Sequence, residues 1–260
     1  MKISVIMPSF NQGQFIDKSI LSILNQSHDD VELIIMDGGS SDKSVDVIKK
    51  YQENITYWQS KPDGGQSAAI NEGMKKATGD ICCWLNSDDL LAENCLTQVA
   101  KYFTEYDDCQ WLVGKGKCLA QNGTEIDRSP NGLEFEDLCD WDNNGLNQPS
   151  VFWRKSLWES VGGLKENLNF CMDFELWLRF AKASKAHKLN ELLAISVLHD
   201  EMKTETGKAE LFVEHNLVLT MHGSFERAYN TLLRPIQSFF SLSKKFSFIT
   251  NNPLYRKLRK

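Results

Sequence analysis

Short apolar runs and amphipathic stretches alternate along the first hundred residues of the chain. The apolar runs predict β-strands at residues 2–7, 31–36, 55–58 and 81–85, and the amphipathic stretches predict helices at residues 14–24, 43–51, 66–77 and 93–103. Strands that alternate with helices through short connections are typical of a doubly wound α/β fold. The pattern therefore predicts a Rossmann-like, mostly parallel sheet.

The pattern changes after Trp111. A hairpin is predicted to turn at Asn122-Gly123, because this dipeptide separates two strand-like runs. Residues 126–147 are polar and irregular, which predicts a surface loop. The later predicted elements are a strand and a short helix within 148–164 that ends at Gly162-Gly163, an amphipathic helix at 172–184, a strand region at 186–200, and helical periodicity beyond Lys203.

Charge is unevenly distributed along the chain. The net charge is −6, but residues 227–260 contain eight Lys or Arg residues and no Asp or Glu. This segment carries +8, so the first 226 residues carry −14, that is −6 minus +8. The acidic body disfavours binding to nucleic acid. The basic tail also contains apolar residues, so it is predicted either to attach to an anionic membrane surface or to pack on the preceding domain.

The composition, 42% hydrophobic and 25% charged, is typical of a soluble globular protein. No apolar run approaches the ~18 residues of a membrane span, and the N-terminus lacks a signal-peptide pattern. Seven cysteines, none spaced as C-x-x-C and two of them adjacent at Cys82 and Cys83, indicate core thiols in a reducing compartment. A cytoplasmic location is therefore expected. The five histidines show no zinc-binding spacing, so a structural zinc site is not expected.

Turns rich in Asp, Gly and Ser follow three of the predicted strands, at residues 37–42, 62–67 and 86–89. In a parallel sheet these turns lie at one edge, where glycines let a ligand approach the backbone and the N–H groups of the following helices suit phosphate. Carboxylates beside phosphate-binding turns are explained by a divalent metal ion between them. One such turn alone is more often structural. Three in order on one edge indicate a nucleotide site.

Three segments resemble glycosyltransferase family 2, the inverting enzymes with a GT-A fold. The segments are VIMPSFNQGQFIDKSILSILNQSHDDVELIIMDGGSSDKS, KPDGGQSAAINEGMKKATGDICCWLNSDD and QPSVFWRKSLWESVGGLKENLNFCMDFELWLRFA. The resemblance implies transfer of a sugar from a nucleotide-diphosphate donor, with a UDP-sugar as the expected one. It implies inversion at the anomeric carbon and a divalent cofactor, Mg²⁺ or Mn²⁺. The implied acceptor is a glycan or lipid-linked glycan in the assembly of a cell-surface polysaccharide or glycolipid.

The resemblance also implies a division of the chain. Residues 1–204 form a GT-A catalytic domain, with a nucleotide-sugar half near 1–110 and an acceptor half at 111–204. Residues 205–260 form a helical, basic C-terminal extension, for which an anionic membrane surface is the expected partner of 227–260. The oligomeric state is not predicted.

The D-x-D metal motif of the family corresponds to Asn86-Ser87-Asp88, in which Asn replaces the first acid. The resemblance implies that Asp88 binds the metal ion, while Asn86 offers a carbonyl oxygen or a hydrogen bond. Asp89 is expected to cap the next helix or to hold the turn. His199 resembles a late histidine of the family and is expected near the metal ion or the diphosphate. Alternatively, a lone histidine at a strand end is an ordinary surface residue without a role in the site.

The resemblance places further residues around the nucleotide sugar. Asp37 is expected to accept a hydrogen bond from the base, and Asp63 to contact the nucleoside. The family often has Arg in the helix after the 62–67 turn, and residues 68–71 contain none. The metal ion and residues further along the chain, such as Lys203, are therefore expected to neutralise the diphosphate. The full expected set is Pro8, Ser9, Asn11, Asp37, Asp63, Gly65, Gln66, Asn86, Ser87 and Lys203.

Asp173 is the expected general base, because the resemblance places it where the family removes the proton of the acceptor hydroxyl. Its alternative role is that of a first-turn carboxylate favoured by the helix dipole. Glu175 lies two residues further along the same helix, about 200° around the axis, so both acids cannot serve one site.

Two other classes of function compete with this interpretation. A catalytically silent nucleotide-sugar-binding or scaffold protein of the same fold is the main alternative, because Asn86 replaces an acid. A Rossmann dehydrogenase is disfavoured, because no G-x-G-x-x-G motif follows the first strand.

Overall fold

The computed structural model describes residues 1–140, 145–200, 202–203 and 207–232. The strands are β1 (Ile3–Ser9), β2 (Val31–Asp37), β3 (Tyr57–Ser60), β4 (Ile81–Trp84), β5 (Asp89–Leu91), β6 (Trp111–Ala120), β7 (Glu125–Arg128), β8 (Val151–Arg154) and β9 (His187–Leu198). The helices are α1 (Ile16–Leu24), α2 (Ser44–Lys50), α3 (Gln66–Lys76), α4 (Cys95–Glu105), α5 (Phe135–Leu138), α6 (Lys155–Val161), α7 (Met172–Ala183) and α8 (Lys208–Met221). Short 3-10 helices occupy Gln52–Asn54 and Gln148–Ser150.

The strands form a mixed sheet in the order β3-β2-β1-β4-β8-β6-β9-β5, and β7 pairs with β6. The first four strands of this order are parallel, with Ile3 opposite both Val31 and Ile81. Every residue of β1 and β4 is buried, because β4 is an uninterrupted apolar run, β1 is apolar except for two serines, and both strands lie inside the sheet between neighbouring strands. The predicted α/β fold is confirmed, and the turns after β2, β3 and β4 share one edge.

The second half of the sheet departs from the simple parallel pattern. β8 is antiparallel to both β4 and β6, while β9 runs parallel to β6 and antiparallel to β5. The hairpin of β6 and β7 turns at residues 121–124, as predicted. Because β8 inserts between β4 and β6, the sheet joins the two halves of the chain in one continuous layer.

Several predicted boundaries are wrong. The segment 126–147 is not an uninterrupted loop, since β7 continues to Arg128 and α5 begins at Phe135; residues 141–144 lie outside the described residues. Strand β5 was not predicted at all. Its three residues begin at Asp89, the last residue of the polar turn, and pair with β9. Pairing with a strand distant in sequence, and not a local apolar pattern, therefore forms β5.

Aromatic side chains fill the core beside the sheet. Trp84 stacks on Trp177 with a ring-centroid distance of 5.4 Å, and Trp153 lies edge-on to Trp84 at 5.5 Å. All seven cysteines are buried and free, which agrees with the prediction of core thiols. The packing ties β4, β8 and α7 together, so the carboxyl end of β4 and the first turn of α7 have a rigid support.

The chain divides into two units, Met1–Leu211 and Phe212–Lys260. In the second unit the structure describes the end of α8 and helical residues 225–232, and residues 233–260 lie outside the described part. Within the described residues no helix is long and apolar enough to cross a membrane.

Candidate nucleotide-sugar site

A cleft with a volume of about 1110 Å³ opens at the carboxyl edge of the parallel strands. Most of the predicted site residues line it, from both halves of the first unit. They are Pro8, Ser9, Asp63, Gly65, Gln66, Asn86, Ser87, Asp88, Asp173 and Lys203. The topology explains the convergence, because parallel strands deliver their C-terminal turns to the same edge.

Asp37, at the end of β2, lies beneath the cleft with 1% of its surface exposed. Its carboxylate accepts hydrogen bonds from the backbone of Gly39 (3.1 Å), the backbone and hydroxyl of Ser40 (2.9 and 2.5 Å) and the hydroxyl of Ser60 (2.6 Å). Four donors on one carboxylate fix the glycine turn that follows. The structure therefore gives Asp37 a scaffolding role, and the predicted hydrogen bond to a base stays a prediction.

Asn11 performs a similar task on the adjacent loop. It adopts a left-handed backbone conformation with φ of 53°, and its side-chain oxygen accepts the N–H of Ser41 at 2.9 Å. Its own N–H donates to the Ser40 hydroxyl at 2.8 Å. Asn11 thus joins the loop after β1 to the turn after β2, and it lies beside the residues that line the cleft.

Phe10 is among the cleft residues that sequence reasoning missed. Its side chain lines the cleft although 61% of its surface is exposed. An exposed aromatic ring at a nucleotide site offers a face on which a base can stack. The available signal was the aromatic residue between Ser9 and Asn11, directly after a buried strand.

The turn after β3 presents Asp63 and Gly65 to the cleft. The Asp63 Oδ1 atom accepts the N–H of Gly65 at 2.8 Å, and Gly65 has φ of 97°, which favours glycine. α3 begins at the next residue, Gln66. The N-terminal N–H groups of this helix therefore face the side of the cleft where a phosphate is expected.

Asp88 contacts His199 across the cleft edge. The His199 Nε2 atom lies 3.1 Å from the Asp88 Oδ2 atom. His199 is 5% exposed, and its ring stacks on Phe15 with a centroid distance of 4.3 Å. The alternative prediction of a surface histidine is therefore wrong. Two residues that the family resemblance assigned to the metal ion are neighbours in space.

The Asp88–His199 pair has the chemistry and spacing of two metal ligands. Carboxylate oxygen and imidazole nitrogen both bind divalent first-row ions. Adjacent ligands of an octahedral ion at ~2.1 Å lie about 3.0 Å apart, which is close to the observed separation. In the described part of the chain, no group of three or more His, Cys, Asp or Glu residues is arranged so that it could hold a metal ion by itself. The remaining ligands of a bound ion would therefore come from the diphosphate of the nucleotide and from water.

Asn86 is occupied by hydrogen bonds within the protein. Its Oδ1 atom accepts from Gln66 Nε2 at 2.9 Å, and its Nδ2 atom donates to Asp89 Oδ2 at 3.1 Å and to Gln148 Oε1 at 3.2 Å. Of the two predicted roles, the structure shows the hydrogen bond.

Asp89 does not cap the next helix, because it lies in β5 and α4 begins only at Cys95. It does hold the turn, since its N–H donates to the Asn86 carbonyl oxygen at 3.1 Å. Burial, and secondarily the adjacent charge of Asp88, raise the pKa of the Asp89 carboxyl well above its usual range.

Asp173 lies in the first turn of α7 and lines the cleft. Its Oδ1 atom accepts the N–H of Phe174 at 2.7 Å. Burial raises the pKa of its carboxyl to about 6, although this backbone hydrogen bond and the charge of Lys203 act in the opposite direction. A carboxylate with such a pKa is ionised at neutral pH and is a better proton acceptor than an exposed one.

Glu175 points away from the cleft into the protein, as the helix geometry predicts. Its carboxylate forms a bidentate ion pair with Arg179, with nitrogen–oxygen distances between 2.6 and 2.9 Å. Arg179 also donates to the carbonyl oxygens of Val161 and Gly163 at 2.7 and 2.6 Å. This pair joins α7 to the end of α6, so its role is structural.

A cleft at the carboxyl ends of parallel strands, faced by a helix-borne carboxylate, is consistent with the class of GT-A glycosyltransferases. Residues 4–158 match Glycosyl transferase family 2. The chain belongs to this family.

Two curated relatives illustrate the membership. TuaG of Bacillus subtilis strain 168, named as a putative teichuronic acid biosynthesis glycosyltransferase, is 28% identical over 200 residues, which are 74% of this chain and 77% of TuaG. TarP of Staphylococcus aureus strain N315, a poly(ribitol-phosphate) beta-N-acetylglucosaminyltransferase, is 39% identical over 119 residues, which are 44% of this chain and 36% of TarP.

Two solved structures share the fold. S. aureus TarS 1–349 in complex with UDP-GlcNAc has a TM-score of 0.69 at 18% identity, covering 85% of this chain and 66% of that chain. The mannosyltransferase PcManGT of Pyrobaculum calidifontis, in complex with GDP-Man and Mn²⁺, has a TM-score of 0.61 at 14% identity, covering 99% of this chain and 82% of that chain. These likenesses establish the GT-A fold.

Proposed function

We propose that this protein is a metal-dependent, inverting glycosyltransferase that moves a sugar from a UDP-sugar to a hydroxyl group of a glycan or lipid-linked glycan. The observation that carries the proposal is the cleft itself. It places Asp88, in contact with His199, and Asp173 on the walls of a single cavity. Asp88 and His199 are suited to bind a metal ion that carries the diphosphate, and the Asp173 carboxylate is suited to accept a proton.

The donor end of the cleft fits a nucleoside diphosphate. Phe10 offers a ring for the base, and Asp63 offers a carboxylate oxygen for a ribose hydroxyl. Ser9 has a buried hydroxyl without a partner among the described residues, which a ligand in the cleft would satisfy. Because TarS binds UDP-GlcNAc in the same fold, UDP-GlcNAc is the first donor to test.

A divalent ion held by Asp88 and His199 would supply Lewis acidity to the departing diphosphate. Lys203 also lines the cleft, with its ammonium group 5.5 Å from the centroid of the Phe170 ring. Its positive charge supports the proposal that it attracts the diphosphate. Gln66, Asn86 and Ser87 line the same cleft.

The chemical step follows from the position of Asp173. The acceptor hydroxyl oxygen attacks the anomeric carbon while its proton passes to the Asp173 carboxylate. The bond between that carbon and the diphosphate oxygen breaks, and the nucleoside diphosphate leaves with the electron pair. One displacement inverts the anomeric configuration. Burial raises the pKa of Asp173 to about 6, and a general base requires a pKa near the pH at which the enzyme works.

Polysaccharide assembly is the setting we propose, because TuaG and TarP are both named for cell-wall polymers. The donor is consumed on the cytoplasmic side in this proposal.

The test measures release of the nucleoside diphosphate by the full chain with Mn²⁺ and a panel of nucleotide sugars, after a thermal-shift screen. A donor at 100 times its Kd adds ~2.7 kcal/mol of apparent stability, so the correct donor will stand out. Donor binding followed by product of inverted configuration supports the proposal. Binding with no turnover on any glycan or lipid-linked acceptor would favour the silent binding protein instead. A product that retains the donor configuration contradicts the single displacement.

Peripheral attachment to an anionic membrane is a separate proposal for the second unit. Six apolar side chains in its described part are exposed at intervals of three or four residues: Val213, Leu217, Met221, Phe225, Tyr229 and Leu232. The following residues 233–260, which lie outside the described part, carry seven Lys or Arg residues and no acid. Apolar side chains next to basic residues suit the interface of an anionic bilayer, at about 1 kcal/mol per cation.

A further inference from the structure

The amide group of Asn86 connects three elements that are distant in sequence. Gln66 is the first residue of α3, Asp89 is the first residue of β5, and Gln148 begins the 3-10 helix before β8. Asn86 contacts all three side chains at 2.9 to 3.2 Å. Both of its N–H hydrogens and one lone pair of its oxygen are therefore used inside the protein.

The orientation of this amide group is fixed by its neighbours. The Nε2 atom of Gln148 donates to the Trp84 carbonyl oxygen at 3.1 Å, so the Oε1 atom of Gln148 must face Asn86. The Oδ2 atom of the buried Asp89 carboxyl group also accepts a hydrogen bond from Asn86 Nδ2. Two acceptors that converge on one atom require a double donor there, and an –NH₂ group is one.

The same network holds the turn that carries Asp88. The N–H of Asp89 donates to the Asn86 backbone oxygen, which closes the turn over residues 86–89. Asp89 is paired with Ser196 of β9, and β9 ends one residue before His199. The positions of both Asp88 and His199 therefore depend on elements that the Asn86 amide links.

We propose that Asn86 is a positioning residue which sets the geometry of Asp88, and that its amide is required in place of the acid found in the D-x-D motif. This inference rests on the proposed function only in taking Asp88 as the residue that meets the metal-bound diphosphate. Asn86→Asp would restore the motif in sequence. In the structure it would set a carboxylate oxygen against two acceptors, Asp89 Oδ2 and Gln148 Oε1, and remove both donors.

The experiment uses four forms of the full chain: wild type, Asn86→Asp, Asp89→Asn and the double variant Asn86→Asp/Asp89→Asn. Binding of UDP is measured by calorimetry with Mn²⁺ and again in EDTA, and the midpoint of thermal unfolding is measured for each form. Asn54→Asp, at the exposed end of the 3-10 helix Gln52–Asn54 and far from the polar network in sequence, is the control for an added negative charge.

We expect Asn86→Asp to weaken Mn²⁺-dependent UDP binding about 10- to 100-fold, the range found when the groups that orient a metal ligand are disturbed. Binding in EDTA should stay within a factor of about two, because the wall residues remain in place. The double variant should recover at least half of the decrease in the logarithm of the Mn²⁺-dependent affinity for UDP. In that variant the amide introduced at position 89 can donate to the carboxylate introduced at position 86, so the contact is kept with its polarity reversed. Its unfolding midpoint should recover in parallel.

Tighter Mn²⁺-dependent binding by Asn86→Asp would overturn the inference, because position 86 would then act as a ligand. Loss that the double variant does not recover would overturn it as well. If the wild-type chain binds no UDP with Mn²⁺, the proposed function fails. The four unfolding midpoints then still decide whether residues 86 and 89 are coupled, and additive midpoints would refute the network.

Discussion

His199 and Asp88, 111 residues apart in the sequence, are in hydrogen-bonding contact, with Nε2 3.1 Å from Oδ2. The aspartate follows β4 in the first half of the chain, and the histidine follows β9 in the second half. Stacking on Phe15 and burial of the ring fix the histidine in this position. The pair is one of the points at which the two halves of the chain meet at the cleft.

Removing the carboxylate of Asp88 should abolish metal-dependent turnover. Asp88→Ala loses a ligand to the ion that stabilises the departing diphosphate, so we expect a fall of about 10²-fold or more in kcat/KM with the fold retained. Nucleoside diphosphate release is measured with increasing Mn²⁺ and in EDTA, and circular dichroism checks the fold. Full activity of the wild type in EDTA would refute the metal assignment.

His199 and Asp88 should be coupled in a double-mutant cycle. His199→Gln keeps a polar side chain but loses the imidazole ligand, so we expect the Mn²⁺ concentration for half-maximal activity to rise about 10- to 100-fold. The double variant Asp88→Asn/His199→Gln should cost less than the sum of the single changes. Additive costs would show that the two residues act at separate sites.

Asp173→Asn should keep the shape of the cleft and remove the proton acceptor. We expect turnover to fall about 10²- to 10⁴-fold while donor binding persists. Because burial raises the pKa of Asp173 to about 6, wild-type kcat/KM should rise with pH through about 6 and then level off. The residual activity of Asp173→Asn should not show this increase with pH. Loss of donor binding instead of turnover would assign Asp173 to the donor.

Asp173 should also leave a signature in stability. Its pKa in the folded state is raised above the ordinary value of 3.8, because burial disfavours the ionised carboxylate. The free energy of unfolding is therefore higher at low pH, where the group is protonated, and it decreases as the pH rises through about 6. Asp173→Asn should therefore raise the unfolding midpoint relative to the wild type at pH 8. The difference should shrink towards pH 4. A constant difference across this range would contradict the raised pKa.

Glu175→Gln provides the contrast on the same helix. The change breaks a buried bidentate ion pair with Arg179, and loss of one partner of such a pair costs about 3–5 kcal/mol of stability. Turnover per folded molecule should change far less than for Asp173→Asn. Denaturant unfolding and activity at saturating donor, measured on the same samples, separate the two effects.

The membrane proposal predicts that the intact chain floats with liposomes that contain anionic lipid at low salt. A chain that ends before Arg227 should remain in the soluble fraction, because it lacks all eight cations of the 227–260 segment. Flotation should weaken at high salt and with neutral lipid. If the intact chain stays soluble at low salt, the tail does not bind membranes.

The sequence alone predicted the elements whose signal is local. Ile81 to Leu85 form an unbroken apolar run, and the structure buries the whole run at the centre of the sheet. Its end therefore had to place residues 86–89 at an edge beside the other polar turns. Asp173 and Glu175 were separated by helix geometry alone, since two residues on a helix face different sides.

The tertiary structure decided the partners of these side chains. Asp37 accepts a hydrogen bond from Ser60 at the end of the next strand. Asn86 donates to Gln148, 62 residues away, and His199 lies next to Asp88. Strand β5 exists only because β9 pairs with it. Local periodicity shows which residues are buried and at which edge a turn emerges. Hydrogen-bond partners and a raised pKa arise from contacts between distant segments, and these depend on strand register and packing that no single segment contains.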